Sequence, residues 1–247
     1  MGVPSLGCHC RVCQSIDPHD NRTRPSILLS RGGSNVVIDT TPDFRFQMLR
    51  ARIDRLDAVV YTHGHADHIL GFDDIRPYNM RQKTALPIYA SAETLAVLRR
   101  VFAYAFSGAP TQSTIPEVIP HEIDGPFELL GVRWIPVPAE HGNTAVLGFR
   151  IGGLGYLTDF SRLPEESKPL LAGANDLVLD ALRDVPHPMH QTVAQALELI
   201  AELQPRRAWF THIAHDLAHQ ETNERLARQG FANVHMAYDG LQFEVRA

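Results

Sequence analysis

A fold that mixes strands and helices, of the α/β or α+β class, is predicted by three features of the 247-residue sequence. Short apolar runs rich in β-branched residues recur along the chain, and in its later half segments of helical period separate them. Most of these runs end on a His or an Asp, the pattern expected when buried strands carry ligand-type groups to one sheet edge. No Gly/Ser-rich or Pro-rich linker divides the chain, so one domain over 1–247 is expected, with a Cys-rich loop over 1–21 at its front.

Residues 1–21 hold Gly, Pro and Cys with little periodicity, which reads as a loop that something must staple. Its three cysteines, Cys8, Cys10 and Cys13, fall within six positions. An odd number so crowded is a poor disulfide framework, whereas thiolates at that spacing face one zinc ion and call for a fourth ligand. Two apolar runs follow at 26–30 and 35–39, and Arg31-Gly32-Gly33-Ser34 between them is a hairpin signal. Asp39 closes the second run, either to cap the next turn or to support a metal-bound histidine. Residues 43–51 have Phe44, Met48 and Leu49 at helical offsets behind an Asp.

Ala58-Val59-Val60-Tyr61 reads as a buried strand, and Thr62-His63-Gly64-His65-Ala66-Asp67-His68 follows it directly. The alternation of His63 and His65 lets two imidazoles reach one ion, while Asp67 and His68 lean toward a second position. These donors suit zinc, manganese or iron. Clustered without an ion they would cost folding energy, so two cations are expected.

Residues 71–79 are polar, mixed and stopped by Pro77, and read either as a segment that covers the site, with Arg76 or Tyr78 holding an anionic substrate group, or as a surface loop with a structural arginine. A helix is expected over 93–106, then a Pro-punctuated segment over 107–124 without regular structure, of the kind that near a site often forms a lid. From 127 the strands come in quick succession. Runs at 127–130 and 132–137 pair around Gly131, and the second continues to His141. Runs at 145–151 and 155–158 pair around Gly152-Gly153 and stop at Asp159. The run 177–179 stops at Asp180 and opens a loop with His187 and His190; the run 208–211 stops at His212. Helices are expected over 165–172, 192–203 and 222–229, and Asp239-Gly240 reads as a closing hairpin turn between 234–236 and 243–245.

A formal net charge of −5 argues against bulk attraction to nucleic acid. No apolar run approaches the ~20 residues of a membrane helix, and the start lacks the basic and apolar regions of a signal peptide, so no membrane partner and a cytoplasmic location are expected.

The run Thr62 to His68 resembles the signature of the metallo-β-lactamase superfamily. The resemblance implies an α+β fold, a four-layered αβ/βα sandwich in which helices flank two facing mixed β-sheets. The match continues through the His-Gly at His141, the Thr-Asp at Asp159 and the Thr-His at His212. It implies one ion on His63, His65 and His141 and another on Asp67, His68 and His212, with Asp159 bridging the two. The ions would be zinc or manganese. Asp67 and His190 are the catalytic candidates, His190 as general acid.

Gly2-Val3-Pro4, Gly7-Cys8-x-Cys10-x2-Cys13 and Thr211-His212-Ile213-Ala214-His215 are similar to the phosphodiesterase of the carbon-phosphorus lyase pathway and its relatives, a branch near the tRNA 3′-processing nucleases. This implies a structural zinc on Cys8, Cys10, Cys13 and His215, with His219 as runner-up for the fourth ligand. Relatives carry a strand with a Gly-Thr-Gly turn before Gly-Val-Pro, which implies a shortened start or a missing strand here. The projecting arm that grips tRNA is absent, so large structured RNA is not expected as substrate.

The reaction implied is hydrolysis of a small phosphodiester or cyclic phosphate, ribose cyclic or nucleotide-like, by hydroxide formed at the two cations. The alternatives are a thioesterase or lactonase on the same fold, or a non-catalytic metal- or metabolite-binding protein of cofactor biosynthesis. A small phosphorylated substrate is the expected partner, and a homodimer is left open.

Overall fold

The computed structural model describes residues 2–108 and 112–246, and its strands form two mixed sheets flanked by helices. Contacts divide the chain into two units, Arg24–Gly131 on one side and Met1–Thr23 with Val132–Ala247 on the other.

In the unit Arg24–Gly131, five strands lie side by side in chain order: β1 (Ile27–Arg31), β2 (Ser34–Ile38), β3 (Ala58–Val60), β4 (Leu86–Ala90) and β5 (Val118–Glu122). The first pair is an antiparallel hairpin, because Gly32 and Gly33 take φ of 59° and 84°, which a two-residue turn of this hand requires. The remaining pairs are parallel and need helical crossovers. These are α1 (Phe44–Ala51) before β3, α2 (Ala66–Ile69) and α3 (Arg76–Gln82) before β4, then α4 (Ala92–Val101) and α5 (Ala103–Phe106) before β5; β6 (Phe127–Leu129) ends the unit. Phe44, Met48, Val59, Ile88, Leu95 and Leu98 close one core between helices and sheet, each contributing about 1.5–3 kcal/mol by leaving water.

The other unit orders its strands β12-β11-β10-β9-β8-β7. An antiparallel meander of β7 (Val132–His141), β8 (Thr144–Ile151) and β9 (Leu154–Leu157) is extended by parallel β10 (Asp176–Asp180), β11 (Arg207–Thr211) and β12 (Val234–Met236). Between the later strands run α6 (Lys168–Leu171), α7 (Val193–Leu203) and α8 (His219–Arg228). Leu157, Leu177, Leu179 and Phe210 pack with Ala196 and Ile200 of α7 and Leu226 of α8. A reciprocal capping box of Thr192 and Gln195 starts α7, which fixes where the loop before it must end.

Several expectations need correction. Residues 71–79 are not a loop: a 3-10 turn over Phe72–Ile75 leads into α3, and Pro77 sits in that helix's first turn, where its fixed φ starts a helix instead of stopping one. The helix expected over 93–106 breaks at Phe102, whose ring stacks on Phe72 at 4.6 Å, a tertiary contact that outweighs helical continuity. The segment 107–124 contains β5, an edge strand that tolerates Pro120; its residues 109–111 lie outside the described residues. The closing hairpin does not form. The Asp239 carboxylate instead accepts the backbone N–H and hydroxyl of Thr23, and the described residues after Gly240 form no strand. Among the described residues no helix is long and apolar enough to cross a membrane.

Candidate metal centre

In the unit Arg24–Gly131 the site begins where wholly buried β3 runs out. Asp39, immediately after β2, is fully buried and takes φ 66°, a left-handed conformation rare outside glycine. That turn delivers its carboxylate to the start of the His-rich run. Asp39 accepts the backbone N–H and the hydroxyl of Thr62, each at 2.8 Å, and Nδ1 of His68 at 2.8 Å. Because the Thr62 proton is spent on Asp39, its oxygen accepts from Nδ1 of His63 at 3.0 Å. His63 and His68 therefore both carry their proton on Nδ1, which puts the lone pair on Nε2, as a metal ligand needs. The His63 ring centroid lies 4.6 Å from that of His65 and 4.3 Å from that of His68, and Asp67 comes within 4.0 Å of His68. Burial pushes the Asp39 carboxyl above its usual range, and His68 and Thr62 oppose that shift.

The second unit presents its own set. His141 ends β7 at a tight turn where Gly142 takes φ 60°, and its Nδ1 donates to the Met189 carbonyl at 2.7 Å, again placing the lone pair on Nε2. Asp159 and His212, just beyond β9 and β11, adopt φ of 52° and 54°, and Asp159 Oδ1 lies 3.2 Å from His212 Nε2. Three site residues at three strand ends thus hold backbone conformations that cost energy elsewhere in a protein. His190 donates Nδ1–H to Asp180 at 2.8 Å and stacks on His212 at 4.6 Å. Burial pushes the Asp180 carboxyl well above the usual carboxylate range. Ligand atoms of His141, Asp159 and His190 lie within 4.8 Å of one another, as do those of Asp180, His190 and His212.

The donor chemistry of both sets, imidazoles beside carboxylates with the Nε2 lone pairs of His63, His68 and His141 oriented, fits divalent zinc or manganese. A third set, Cys8, Cys10, Cys13 and His215, also has all its ligand atoms within 4.8 Å of one another, and His215 Nδ1 stands 3.3 Å from both Cys8 Sγ and Cys10 Sγ. Three thiolates and one imidazole this close match a closed tetrahedral zinc site. The backbone N–H of Cys13, followed by His215, lowers the Cys10 thiol to about 6, whereas burial raises that of Cys13.

Other candidates have partners of their own. Arg76 donates to the Asp73 carboxylate at 2.7 Å and the Thr114 carbonyl at 3.0 Å, and the buried Tyr78 donates its hydroxyl to the Ile53 carbonyl. His219 bonds Asn223 and stacks on His19, away from the fourth-ligand role given to it as runner-up. Sequence reading assigned no role to Thr62, Asp180 or Met189. Asp180 ended a strand as the ligands do, which was a usable signal, but a backbone carbonyl such as that of Met189 leaves none.

Comparison with known proteins agrees with this geometry. The model of the beta-lactamase superfamily domain matches residues 34–213, across both units. A solved structure described as a new diphosphatase from the PhnP family is 46% identical, with a TM-score of 0.90 over 99% of this chain and 94% of that one. Zinc-bound PqqB from Methylobacterium extorquens, 21% identical, aligns with a TM-score of 0.74 over 99% of this chain and 96% of its own, a likeness of fold alone. An octanoyltransferase of Porphyromonas gingivalis is 38% identical over 98% of this chain, which spans 49% of that protein's length. A ribonuclease Z of Bradyrhizobium sp. (strain ORS 278) is 31% identical over 36% of this chain and 31% of its own. With ligand-type residues at its strand ends, two mixed sheets and a family match over most of its length, the chain belongs to the metallo-β-lactamase superfamily, close to the PhnP family.

Proposed function

We propose that this metal-dependent hydrolase is a dinuclear phosphodiesterase that cleaves a small phosphodiester or cyclic phosphate in the cytoplasm. The observation that carries the reading is the Asp180–His190 pair, a histidine oriented by a buried carboxylate and stacked on His212. Such a pair suits a general acid better than a ligand, because a leaving alkoxide needs a proton and an adjacent carboxylate stabilises the imidazolium that supplies it. The likeness to a PhnP-family diphosphatase supports chemistry at phosphorus.

Following the motif order of the superfamily, His63, His65 and His141 would hold one ion and Asp67, His68 and His212 the other, with Asp159 shared. Zinc or manganese so bound would polarise a phosphoryl oxygen and acidify water. The chain's own residues do the rest. Asp39 and the Met189 carbonyl keep His68 and His141 in the ligating tautomer, and His190 protonates the departing oxygen from Nε2. Asp67 completes the ligand set and orients the attacking water. A third ion, structural zinc, is assigned by contrast to no step; it would tie residues 8–13 to His215. The test is turnover of a panel of alkyl phosphodiesters and nucleoside cyclic phosphates by metal-loaded protein, and the absence of hydrolysis across the panel would overturn the reading.

One observation favours a second reading. The Porphyromonas gingivalis relative, of which this chain spans 49%, is named for octanoyl transfer, and from that name we take an acyl-thioester substrate as the alternative. A medium-chain acyl thioester in the same panel separates the two, since turnover of the thioester alone would select it.

A further inference from the structure

Three of the imidazoles described above, His63, His68 and His141, carry their proton on Nδ1, whereas His187 carries its proton on the opposite nitrogen. The backbone N–H of Met189 donates to His187 Nδ1 at 3.2 Å. An accepting Nδ1 leaves the proton on Nε2, so His187 presents an N–H donor where those three rings present lone pairs. This tautomer cannot ligate a metal through Nε2.

The loop that displays it is pinned. Its base is closed by Leu182 N–H to the Gln191 carbonyl at 2.9 Å and by Val193 N–H to the Arg183 carbonyl at 3.0 Å. The Arg183 guanidinium braces the tip by donating to the carbonyls of Val185 at 3.1 Å and Pro186 at 3.3 Å. Pro186 and Pro188 flank His187 and restrict its backbone. The Met189 carbonyl holds His141, as described, so the loop is also referenced to a ligand-type residue. On this frame the half-buried His187 ring stands 5.0 Å from the ring of His190. Burial, then His190 and Arg183, holds its pKa below the ordinary histidine value, and an Nδ1 that accepts from Met189 belongs to an uncharged ring. A rigid neutral donor beside a general acid serves to bind an anionic oxygen without competing for the proton being transferred.

We infer that His187 is a substrate-contacting residue whose Nε2–H donates to a phosphoryl oxygen of the substrate, next to the oxygen that His190 protonates. This rests on the phosphodiesterase reading for its substrate class. A prolyl-braced His-x-x-His pair thus divides its labour, one ring binding and the other transferring the proton.

The test uses the full chain loaded with metal, comparing wild type with His187→Ala and His187→Gln. Gln keeps an N–H near the position of Nε2. Two quantities are read: KM and kcat on an alkyl nitrophenyl phosphodiester, and the affinity for inorganic phosphate by calorimetry. Loss of one hydrogen bond to a charged group predicts that Ala raises KM and weakens phosphate binding roughly ten- to hundredfold, with kcat nearly unchanged and metal content intact, and that Gln recovers most of the loss. Unchanged KM and phosphate affinity in the Ala variant would overturn the inference, as would loss of metal in both variants, which marks a structural prop. If Ala does not fold, Gln decides alone: wild-type phosphate affinity supports the donor, and a tenfold loss opposes it. Wild-type protein that binds phosphate through His187 yet hydrolyses no diester would leave this site standing and remove the phosphodiesterase reading.

Discussion

A carboxylate oxygen of Asp39 lies 2.8 Å from Nδ1 of His68, and neither side chain has any exposure to solvent. The same carboxylate accepts Thr62, and through Thr62 it sets the tautomer of His63. One buried acid thus prepares two of the four ligand-type residues in its unit. Replacing Asp39 with Asn removes the charge and turns one acceptor into a donor facing the His68 proton. We expect metal affinity at the active centre to fall tenfold to a hundredfold and stability to fall by about 3–5 kcal/mol. Metal analysis and urea titration check this; full metal content in D39N would show that His68 needs no partner.

Leaving-group chemistry tests His190. The His190→Ala variant is expected to lose roughly 10²–10⁴ in turnover of a diester with an alkoxide leaving group. With nitrophenolate, which departs without a proton, the loss should be far smaller. Equal losses on both substrates would remove His190 from the role of acid, and Asp180→Asn should show the same leaving-group dependence in weaker form.

For the thiolate cluster the prediction is one of order and pH. After metal is stripped, Cys10 should be the first of the three to react with iodoacetamide. Thiolate is the nucleophile, so its rate should climb as pH rises through about 6 and fall away below that value. Cys13, whose thiol burial raises, should react later and only at higher pH. Mass spectrometry of partly labelled protein gives the order. Cys10→Ser or His215→Ala should cost one bound zinc per chain and lower the melting temperature.

Backbone contact makes Gly71 a sharp stability test. A Cβ there would stand 2.1 Å from the Thr41 carbonyl oxygen and 2.7 Å from Phe44 Cβ, and the first of these is main chain that cannot swing aside. Gly71→Ala is expected to destabilise by about 1–3 kcal/mol or more. Gly125→Ala, where a Cβ meets nothing within 4 Å, should stay within about 0.5 kcal/mol of wild type. Denaturant midpoints of the two variants give the comparison.

Local chemistry was enough to read most strands of the second unit and their ligand-bearing ends. Apolar runs such as 208–211 are long enough to declare themselves, and His or Asp at their ends is visible by inspection. The cysteine spacing and the His-rich run were equally legible, because a metal site drawn from one short segment is written in consecutive letters. The break at Phe102 and the strand β5 were not, since a ring contact with Phe72 and an edge position next to β4 override local preference. The last residues likewise abandon their turn signal because Asp239 finds Thr23, 216 positions away.

The amino-acid order alone therefore names which side chains can bind metal, and the reason is that donor atoms are a property of residue type. How each donor is aimed belongs to the folded state. Asp39 and His68 are 29 residues apart, His141 and Met189 are 48 apart, and only packing brings the acceptor that moves a proton from one ring nitrogen to the other. His63, His141 and His187 look alike as letters. Their partners in space are what give the first two a lone pair for a cation and the third an N–H for an anion.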